Sequence, residues 1–377
     1  MRSIWEYDSW LTYDVVIIGG GIIGINTAIE CATRHPEWRV LLLERNLLPT
    51  GASTRNAGFA CVGSLSEIAS DIDLMGRDAA RNLVQQRLDG LTLLRERCAG
   101  LDIGYTENGG SEIFLEDHSS LLRLDEVNDL LAPIFGCATF SKRNDLIAEY
   151  GLSSSISTLI HTPFEGTLHS GKLIAALWDL AARAGVHIRT GAEVVSMLDT
   201  GTSVELVVRT THQELEITAS QTVIATNAMI PSLVPDATLP EILPGRGQVI
   251  VTKPLTNLKL KGSFHADEGY YYFRSLGDRV LLGGGRNLDF EGERTTSHQT
   301  TEHIQSVLEN MLRTVILPNH PDLEIEHRWA GTMAFTTTKQ PYVGNVSPRC
   351  IVAFGCNGMG VAISSNVARE SARMLMC

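Results

Sequence analysis

The chain has 377 residues, 44% of them hydrophobic and 20% charged, which is enough for two domains with separate cores. Its formal net charge of −12 argues against nucleic acid or an anionic membrane surface as a partner. The seven cysteines form no Cys-x-x-Cys pair and no zinc-binding or disulfide pattern. No segment reads as a signal peptide or membrane span, so we expect a cytoplasmic protein without a metal.

The N-terminal segment has the pattern of a strand, a glycine-rich turn, a helix and a second strand. An apolar run leads into residues 19–24, Gly-Gly-Gly-Ile-Ile-Gly, and a second apolar run ends on Glu44. Gly19 permits a tight turn, Gly21 leaves room for a pyrophosphate, and Gly24 lets the helix approach the strand. Glu44 has the spacing of a carboxylate that binds ribose hydroxyls, so the segment predicts dinucleotide binding.

Further along the chain, helices and strands are predicted from periodicity and turn residues. The expected helices are 73–98, 121–135, 170–184, 304–315 and 361–376. We expect Ser170 to cap the third of these helices and Gly185 to end it. The expected strands are 111–115, 186–188, 194–197, 204–210, 214–219, 222–226, 248–251, 270–273, 280–282 and 351–354.

The order of these segments predicts the domain organisation. Segments typical of nucleotide binding lie at both ends and in the middle, and antiparallel strands lie between them. We therefore predict an α/β fold in which a Rossmann-like domain is interleaved with a mixed, largely antiparallel β-sheet domain. The first domain would comprise 1–85, 160–235 and 325–377, and the substrate or cap domain 86–159 and 236–324.

Several motifs in a fixed order carry a resemblance over nearly the whole chain. They are residues 14–45, 51–59 (Gly-Ala-Ser-Thr-Arg-Asn-Ala-Gly-Phe), 165–169 with 191–194, 223–228, 329–332 with 341–344, and 355–361. Together they resemble the family of FAD-dependent oxidoreductases that includes D-amino-acid oxidase, glycine oxidase and sarcosine oxidase. The resemblance implies non-covalent FAD, a small-molecule substrate, and oxygen or another electron acceptor; it does not specify an oligomeric state.

The resemblance also implies which residues contact the cofactor. They are Gly19, Gly21, Ile22, Ile23, Gly24, Glu44, Arg45, Ser53, Thr54, Arg55, Asn56, Ala57, Gly58, Val194, Ala225, Thr226, Asn227, Gly331, Gly355, Asn357, Gly358, Met359 and Gly360. The side chains of Arg55 and Asn56 would donate to phosphate or flavin oxygens. The backbone amides of residues 358–360, which open the last helix, would stabilise negative charge near flavin N1 and O2.

The predicted substrate pocket draws on both predicted domains. Its candidates are Phe59, Tyr272, Arg274, Met333 and Asn357. Strand alternation places Tyr272 and Arg274 on one face, where a hydroxyl and a guanidinium together suit a carboxylate.

The chain departs at four places from the family that it resembles. Glycine oxidase-like members carry an arginine that clamps the substrate carboxylate where this chain has Met333. The lysines of monomeric sarcosine oxidase correspond here to Ala362 and to the neighbourhood of Leu281, and residues 329–338 contain no flavin-linking cysteine. Covalent FAD, a simple amino-acid clamp and fast reaction with oxygen are therefore not expected.

The favoured reaction is oxidation of a C–N bond of an amine or amino-acid derivative by hydride transfer to flavin N5, and no catalytic base is assigned. One alternative is oxidation of a 2-hydroxy acid, which needs a base. The histidines available for that role are His161, His169, His265 and His327. A flavin-binding protein without turnover is a second alternative, and the glycine turn alone would also suit NAD in place of FAD.

Overall fold

The computed structural model describes residues 3–235 and 238–375. Among these residues the α-helices are α1 (Ile4–Glu6), α2 (Ile22–Arg34), α3 (Ala52–Arg55), α4 (Leu65–Met75), α5 (Arg77–Arg97), α6 (Leu124–Phe135), α7 (Asp145–Glu149), α8 (Ser170–Arg183), α9 (Glu302–Met311) and α10 (Gly360–Met374). Short 3₁₀ helices occupy Ser119–Arg123, Asn227–Ser232 and Arg286–Leu288, and π-helical turns occupy Tyr7–Leu11 and Leu312–Ile316.

The strands of the same residues fall into two large sheets and one small one. They are β1 (Thr12–Ile18), β2 (Val40–Glu44), β3 (Phe59–Ala60), β4 (Gly110–Phe114), β5 (Ser141–Lys142), β6 (Thr158–Thr162), β7 (Gly166–Thr167), β8 (His187–Thr190), β9 (Glu193–Asp199), β10 (Val204–Arg209), β11 (Glu214–Ile224), β12 (Leu243–Thr252), β13 (Ser263–Ala266), β14 (Tyr271–Leu276), β15 (Arg279–Gly284), β16 (Ile325–Phe335), β17 (Tyr342–Ser347) and β18 (Cys350–Phe354).

The first sheet is built around a parallel centre in the order β17-β18-β11-β1-β2-β8, and β10 and β9 extend it from β11. Ile17 of β1 is in register with Leu42 of β2 and with Val223 of β11. All three side chains are fully buried in the core that the sheet forms with its helices, while the opposite face packs against residues of β9 and β10. Helices α2, α5, α8 and α10 pack together beside this sheet, so the carboxyl end of β1 opens towards the N-terminus of α2.

The second sheet has the order β16-β12-β15-β14-β13-β4-β6-β5 and is antiparallel except for the pair β4 and β13. Its core contains Phe264 and Phe273, whose rings stack with centroids 4.7 Å apart. Helix α9 contributes the buried side chains Ile304 and Leu308 to the same core. The predicted α/β class, with a Rossmann-like sheet and a largely antiparallel second sheet, is confirmed.

Several predicted elements are corrected in detail. The helix expected over 73–98 is interrupted at Gly76, whose φ of +84° ends α4 before α5 begins. Ser170 does not cap α8; instead His169 Nδ1 accepts a hydrogen bond from the Lys172 amide at 3.2 Å. The strands expected at 214–219 and 222–226 are one strand, β11. Met376, the predicted end of the last helix, lies outside the described residues.

The domain boundaries drawn from the sequence stay a prediction. Strands β6 and β16 pair within the second sheet, and α5 packs against α10 beside the first. Within residues 3–235 and 238–375, no helix combines the length and apolar character needed to cross a bilayer. The cysteines of that part of the chain are free thiols: Cys31, Cys61, Cys98, Cys137, Cys350 and Cys356.

Candidate active site

The turn from β1 into α2 brings backbone atoms so close together that Gly19 and Gly24 have no room for a side chain. Gly19 has a φ of +109°, and a Cβ on it would lie 2.7 Å from the carbonyl oxygen of Ala225. A Cβ on Gly24 would lie 1.9 Å from the carbonyl oxygen of Gly19, and one on Gly21 would lie 3.1 Å from Ser53 Oγ. The three glycines therefore keep the chain close-packed at the N-terminus of α2, where the Ile22 amide donates to Ser53 Oγ at 2.8 Å and the turn lines a cavity.

Glu44 lies at the end of β2 with its carboxylate beside the same turn. Its Oε2 accepts a hydrogen bond from the Gly20 amide at 3.0 Å, and its Oε1 accepts one from the Asn46 amide at 3.0 Å. Because each carboxylate oxygen has a second lone pair, Glu44 can still accept hydrogen bonds from ribose hydroxyls. The side chain is held in place by backbone groups before any ligand binds.

The loop after β2 is held in place by its own side chains. Asn56 Oδ1 accepts hydrogen bonds from the Gly58 amide at 2.8 Å and from Ser170 Oγ at 2.7 Å, while its Nδ2 donates to the Ser53 carbonyl at 2.8 Å. Arg55 Nη1 donates to the Ala330 carbonyl at 2.6 Å. Both side chains therefore anchor the loop to α8 and β16, and their expected donation to phosphate or flavin oxygens stays a prediction.

A second glycine turn leads from β18 into α10. Gly355, Asn357 and Gly358 all have positive φ, of +80°, +51° and +86°. Asn357 Oδ1 accepts a hydrogen bond from the Thr336 amide at 2.8 Å, which ties the turn to the end of β16. No side chain caps the N-terminus of α10. Its first amides and the positive end of the helix dipole are therefore available to an electron-rich group.

Both turns and the loop face one cavity of 430 Å³. The expected cofactor residues that line it are Gly19, Gly21, Ile22, Ile23, Glu44, Arg45, Ser53, Arg55, Asn56, Ala57, Val194, Ala225, Thr226, Asn227, Gly331, Asn357, Gly358, Met359 and Gly360. Four expected residues do not line it: Gly24, Thr54, Gly58 and Gly355. Thr54 instead donates through Oγ1 to the Pro49 carbonyl, and Gly58 is pressed against the Leu168 carbonyl.

The same cavity continues to the predicted substrate pocket. Phe59, Tyr272, Met333 and Asn357 line it. Tyr272 and Met333 meet over Gly247, where a Cβ would lie 3.2 Å from the tyrosine hydroxyl and 3.1 Å from the methionine Cε. Burial raises the pKa of Tyr272 to about 12, so its phenol is a neutral hydrogen-bond donor.

Arg274 does not line this pocket. Its Nη1 donates to the carbonyl oxygens of Leu168 at 2.7 Å and Gly58 at 3.0 Å, and its Nε donates to the Ser275 carbonyl at 3.0 Å. Burial lowers the pKa of this guanidinium to about 10. Arg274 therefore anchors the loop that carries Gly58, and we no longer assign it to substrate binding.

A buried group of Cys61, Glu165 and His265 was not anticipated as a unit. Their ligand atoms lie within 4.8 Å of one another, and His265 Nε2 is 3.3 Å from Glu165 Oε2. Of the four histidines considered as bases, His265 is the one that lines the cavity. The sequence contains no signal for this group, because its members are about a hundred positions apart along the chain. They meet only because the fold places β13 beside the loop before β7.

The ion pair decides the charge of His265. Burial by itself would lower the pKa of the imidazole, but the charge of Glu165 and the hydrogen bonds of Cys61 and Glu165 outweigh burial. The pKa of His265 is consequently raised well above its ordinary value. The imidazole is therefore held as a cation at neutral pH, next to Phe59, whose ring lies edge-on at 5.2 Å. The absence of a bound metal stays a prediction.

Replacing His265 by glutamine should remove a stabilisation that depends on pH. Because the folded-state pKa lies above about 6.5, protonation stabilises the fold fully below about pH 6.5, and this contribution is lost as the pH rises through the folded-state pKa. We expect urea titrations to show a larger difference in unfolding free energy between wild type and His265→Gln at about pH 6 than at about pH 9. His327→Gln, at an exposed position of β16, is the control. A difference that grows with pH would contradict a cationic His265.

Comparisons with known proteins agree on one family. The model of the family described as DAO, FAD dependent oxidoreductase, matches residues 14–374. "Probable oxidoreductase OrdL" of Rhizobium meliloti is 26% identical over 96% of this chain and 83% of its own. "Gamma-glutamylputrescine oxidoreductase" of Escherichia coli is 27% identical over 97% of this chain and 84% of its own. The crystal structure of glycine oxidase from Geobacillus kaustophilus superposes with a TM-score of 0.78 at 21% identity, over 97% of this chain and 96% of that one.

Proposed function

The chain belongs to the DAO family of FAD-dependent oxidoreductases, and from this premise we propose that it oxidises a C–N bond of an amine or amino-acid derivative. The cofactor is FAD, which when bound accepts a hydride from the substrate carbon. Two relatives are named for gamma-glutamylputrescine and for glycine, both of which contain amine nitrogen. The residues around the cavity of this chain support the same class of substrate.

The observation that carries the proposal is the single cavity shared by the two glycine turns and the aromatic pocket. The turn at 19–24 suits the phosphates of a dinucleotide, and Glu44 suits its ribose. The turn depends on glycine at position 24, because a Cβ there would collide with the Gly19 carbonyl oxygen. The uncapped N-terminus of α10 suits an electron-rich oxygen of a flavin ring. Phe59, Tyr272 and Met333 line the same cavity and would shield a bound substrate from water.

Non-covalent attachment of FAD is part of the proposal. Two cysteines line the cavity, Cys61 and Cys356. Burial raises the pKa of both thiols, that of Cys356 to about 12, so neither is a thiolate at neutral pH. Since a thiolate is the form of cysteine that attacks an electrophile, neither side chain is suited to form a bond with the flavin.

The cationic state of His265 favours a C–N substrate over a 2-hydroxy acid. Removing the proton from a hydroxyl group needs a general base within hydrogen-bond reach. Of the four histidines considered, His265 lines the cavity, and the ion pair with Glu165 keeps it protonated. His298 also lines the cavity, and burial lowers its pKa, but its charged neighbours are Arg55 and Arg45, two expected cofactor residues, so it belongs to the cofactor side. An amine that reaches the pocket in its neutral form needs no such base. The phenol oxygen of Tyr272 can orient it by accepting a hydrogen bond from the amine N–H.

Anaerobic reduction of the yellow holoenzyme should separate the candidate reactions. We expect members of a panel of amines and amino-acid derivatives to bleach the flavin absorbance, and matched 2-hydroxy acids to leave it unchanged. The measurement is the visible spectrum under argon, with dithionite as the control that bleaching is detectable. Bleaching by hydroxy acids alone would overturn the C–N proposal, and bleaching by no member would favour a flavin protein without turnover. Acid precipitation should release the flavin into the supernatant if it is non-covalent.

A further inference from the structure

Arg286 presents a guanidinium to the cavity that the reaction proposed above does not use. The residue directly follows Gly284 and Gly285, at the end of β15, and Gly283 of that strand pairs with Tyr272 of β14. Its Cζ lies 4.1 Å from the ring centroid of Phe335, and the rings of Tyr270 and Phe290 lie at 5.2 and 5.4 Å. The guanidinium is half-buried and lines the cavity between these rings.

The charge of Arg286 has no counterion in the part of the chain that the structure describes. Within residues 3–235 and 238–375, no carboxylate lies within 4.0 Å of its nitrogens and no protein group accepts a hydrogen bond from them. Lys339 and Arg87, which also line the cavity, are paired: Lys339 Nζ lies 2.8 Å from Asp71 Oδ1, and Arg87 lies 3.7 Å from the other oxygen of that carboxylate. Arg45 and Arg55 line it without a carboxylate partner among the described residues, but they are expected cofactor residues, whereas Arg286 is not. Desolvation of an unpaired charge is unfavourable. A bound anion would supply the missing counterion of Arg286.

The surroundings of Arg286 determine which of its groups are available. Aromatic rings contact the faces of a guanidinium, whereas its N–H donors lie in the plane and point outward. The in-plane fork of donors matches the two oxygens of a carboxylate. The neutral phenol of Tyr272, on the neighbouring strand, adds a further donor at the same wall of the cavity.

We propose that Arg286, assisted by the hydroxyl of Tyr272, binds a carboxylate of the substrate, which is therefore an amine that also carries a carboxylate. This inference rests on the proposed C–N oxidation and specifies its substrate class. It places the anion-binding role after β15, whereas the position on β16 that would otherwise carry an arginine is Met333. The two positions face one cavity from different strands, so the methionine does not preclude an acidic substrate.

Binding of benzoate and of its neutral analogue benzamide to the holoenzyme tests the proposal without requiring turnover. We expect benzoate to bind wild type more tightly than benzamide in isothermal titration calorimetry. Arg286→Gln should lower the affinity for benzoate about tenfold to a hundredfold, as expected for loss of a hydrogen-bonded charge pair. The same substitution should leave the affinity for benzamide unchanged. The benzoate affinity of Arg286→Lys should lie between those of wild type and Arg286→Gln, since lysine keeps the charge but not the fork of donors. Arg294→Gln, at an exposed arginine outside the cavity, is the matched control.

Three results would overturn the proposal: equal binding of benzoate and benzamide to wild type, unchanged benzoate binding by Arg286→Gln, or a wild type that binds none of acetate, benzoate and glutarate. FAD content and thermal midpoint report whether each variant is folded. Should Arg286→Gln fail to fold, the wild-type comparison and Arg286→Lys decide the question. If benzoate binding depends on Arg286 while no amine bleaches the flavin, the C–N proposal fails and the anion site stands. If amines bleach the flavin but benzoate binding does not depend on Arg286, only the anion-site proposal is refuted.

Discussion

Replacing Gly24 by alanine should abolish FAD binding and destabilise the fold. The added methyl carbon would lie 1.9 Å from the carbonyl oxygen of Gly19 and 3.1 Å from its carbonyl carbon, both of them backbone atoms. Helix α2 would have to move away from β1, although its buried face packs against β1, β2, α8 and α10. We expect a loss of about 3 kcal/mol or more in unfolding free energy, at the upper end for overpacking of a core.

Two measurements check the Gly24 prediction. The ratio of flavin to protein absorbance should fall to that of an apoprotein, and thermal unfolding should shift to lower temperature. The matched control is Gly171→Ala, at an exposed position of α8, where the new methyl would meet the ring of His169 at 3.2 Å. The ring needs to shift by only a few tenths of an ångström, so His169 can keep its hydrogen bond to the Lys172 amide. Because alanine also favours helix, Gly171→Ala should retain flavin and stability. If the Gly24→Ala protein stays yellow and stable, the turn from β1 into α2 is not close-packed.

Replacing Glu293 by glutamine should cause the second large effect. Arg246 and Glu293 form a buried bidentate pair, with Nε to Oε2 at 2.8 Å and Nη2 to Oε1 at 2.6 Å. Their side chains are 6% and 2% exposed. Gln248 Nε2 donates to Glu293 Oε1 at 2.9 Å, so the pair is part of a buried network that includes two polar residues of β12. Glutamine would leave Arg246 buried without a counterion, which we expect to cost about 3–5 kcal/mol.

The Glu293 pair also bears on the site, because it anchors the segment that follows Arg286. Chemical unfolding of Glu293→Gln should show the loss of stability, and calorimetry should show weaker benzoate binding if the segment loosens. Asp145→Asn, which breaks a bidentate pair with Arg143 on the protein surface, is the control. It should leave the unfolding midpoint nearly unchanged, since exposed pairs are screened by water and salt. Equal effects of the two variants would show that burial does not control the strength of the Arg246–Glu293 pair.

Local patterns in the sequence were sufficient for the cofactor half of the site. The turn from β1 into α2 was recognisable because its requirements are short-range. It needs glycines where φ is positive or a Cβ would collide, and an acid at the end of the next strand. The same holds for the turn before α10, where Gly355 and Gly358 mark positive φ. Element boundaries were less predictable, as the break at Gly76 and the cap by His169 show.

The roles of the polar side chains required the tertiary structure. The sequence around Arg274 and Arg286 does not distinguish their roles. Arg274 donates to four backbone carbonyls, whereas Arg286 lines the cavity without a counterion among the described residues. Three of the partners of Arg274 lie in the loop at 57–58 and before α8, more than a hundred residues away. His265 likewise depends on Glu165, which β13 and the loop before β7 bring within 3.3 Å.

The amino-acid sequence by itself determined the family, the cofactor and the glycine turns that receive it, because these depend on backbone conformation and steric contact between neighbours along the chain. The tertiary structure alone decided which charges are neutralised by the protein and which are left for a ligand. A charge is neutralised by whatever lies within a few ångströms of it, and at this site those groups come from strands of the second sheet and from loops far apart in sequence.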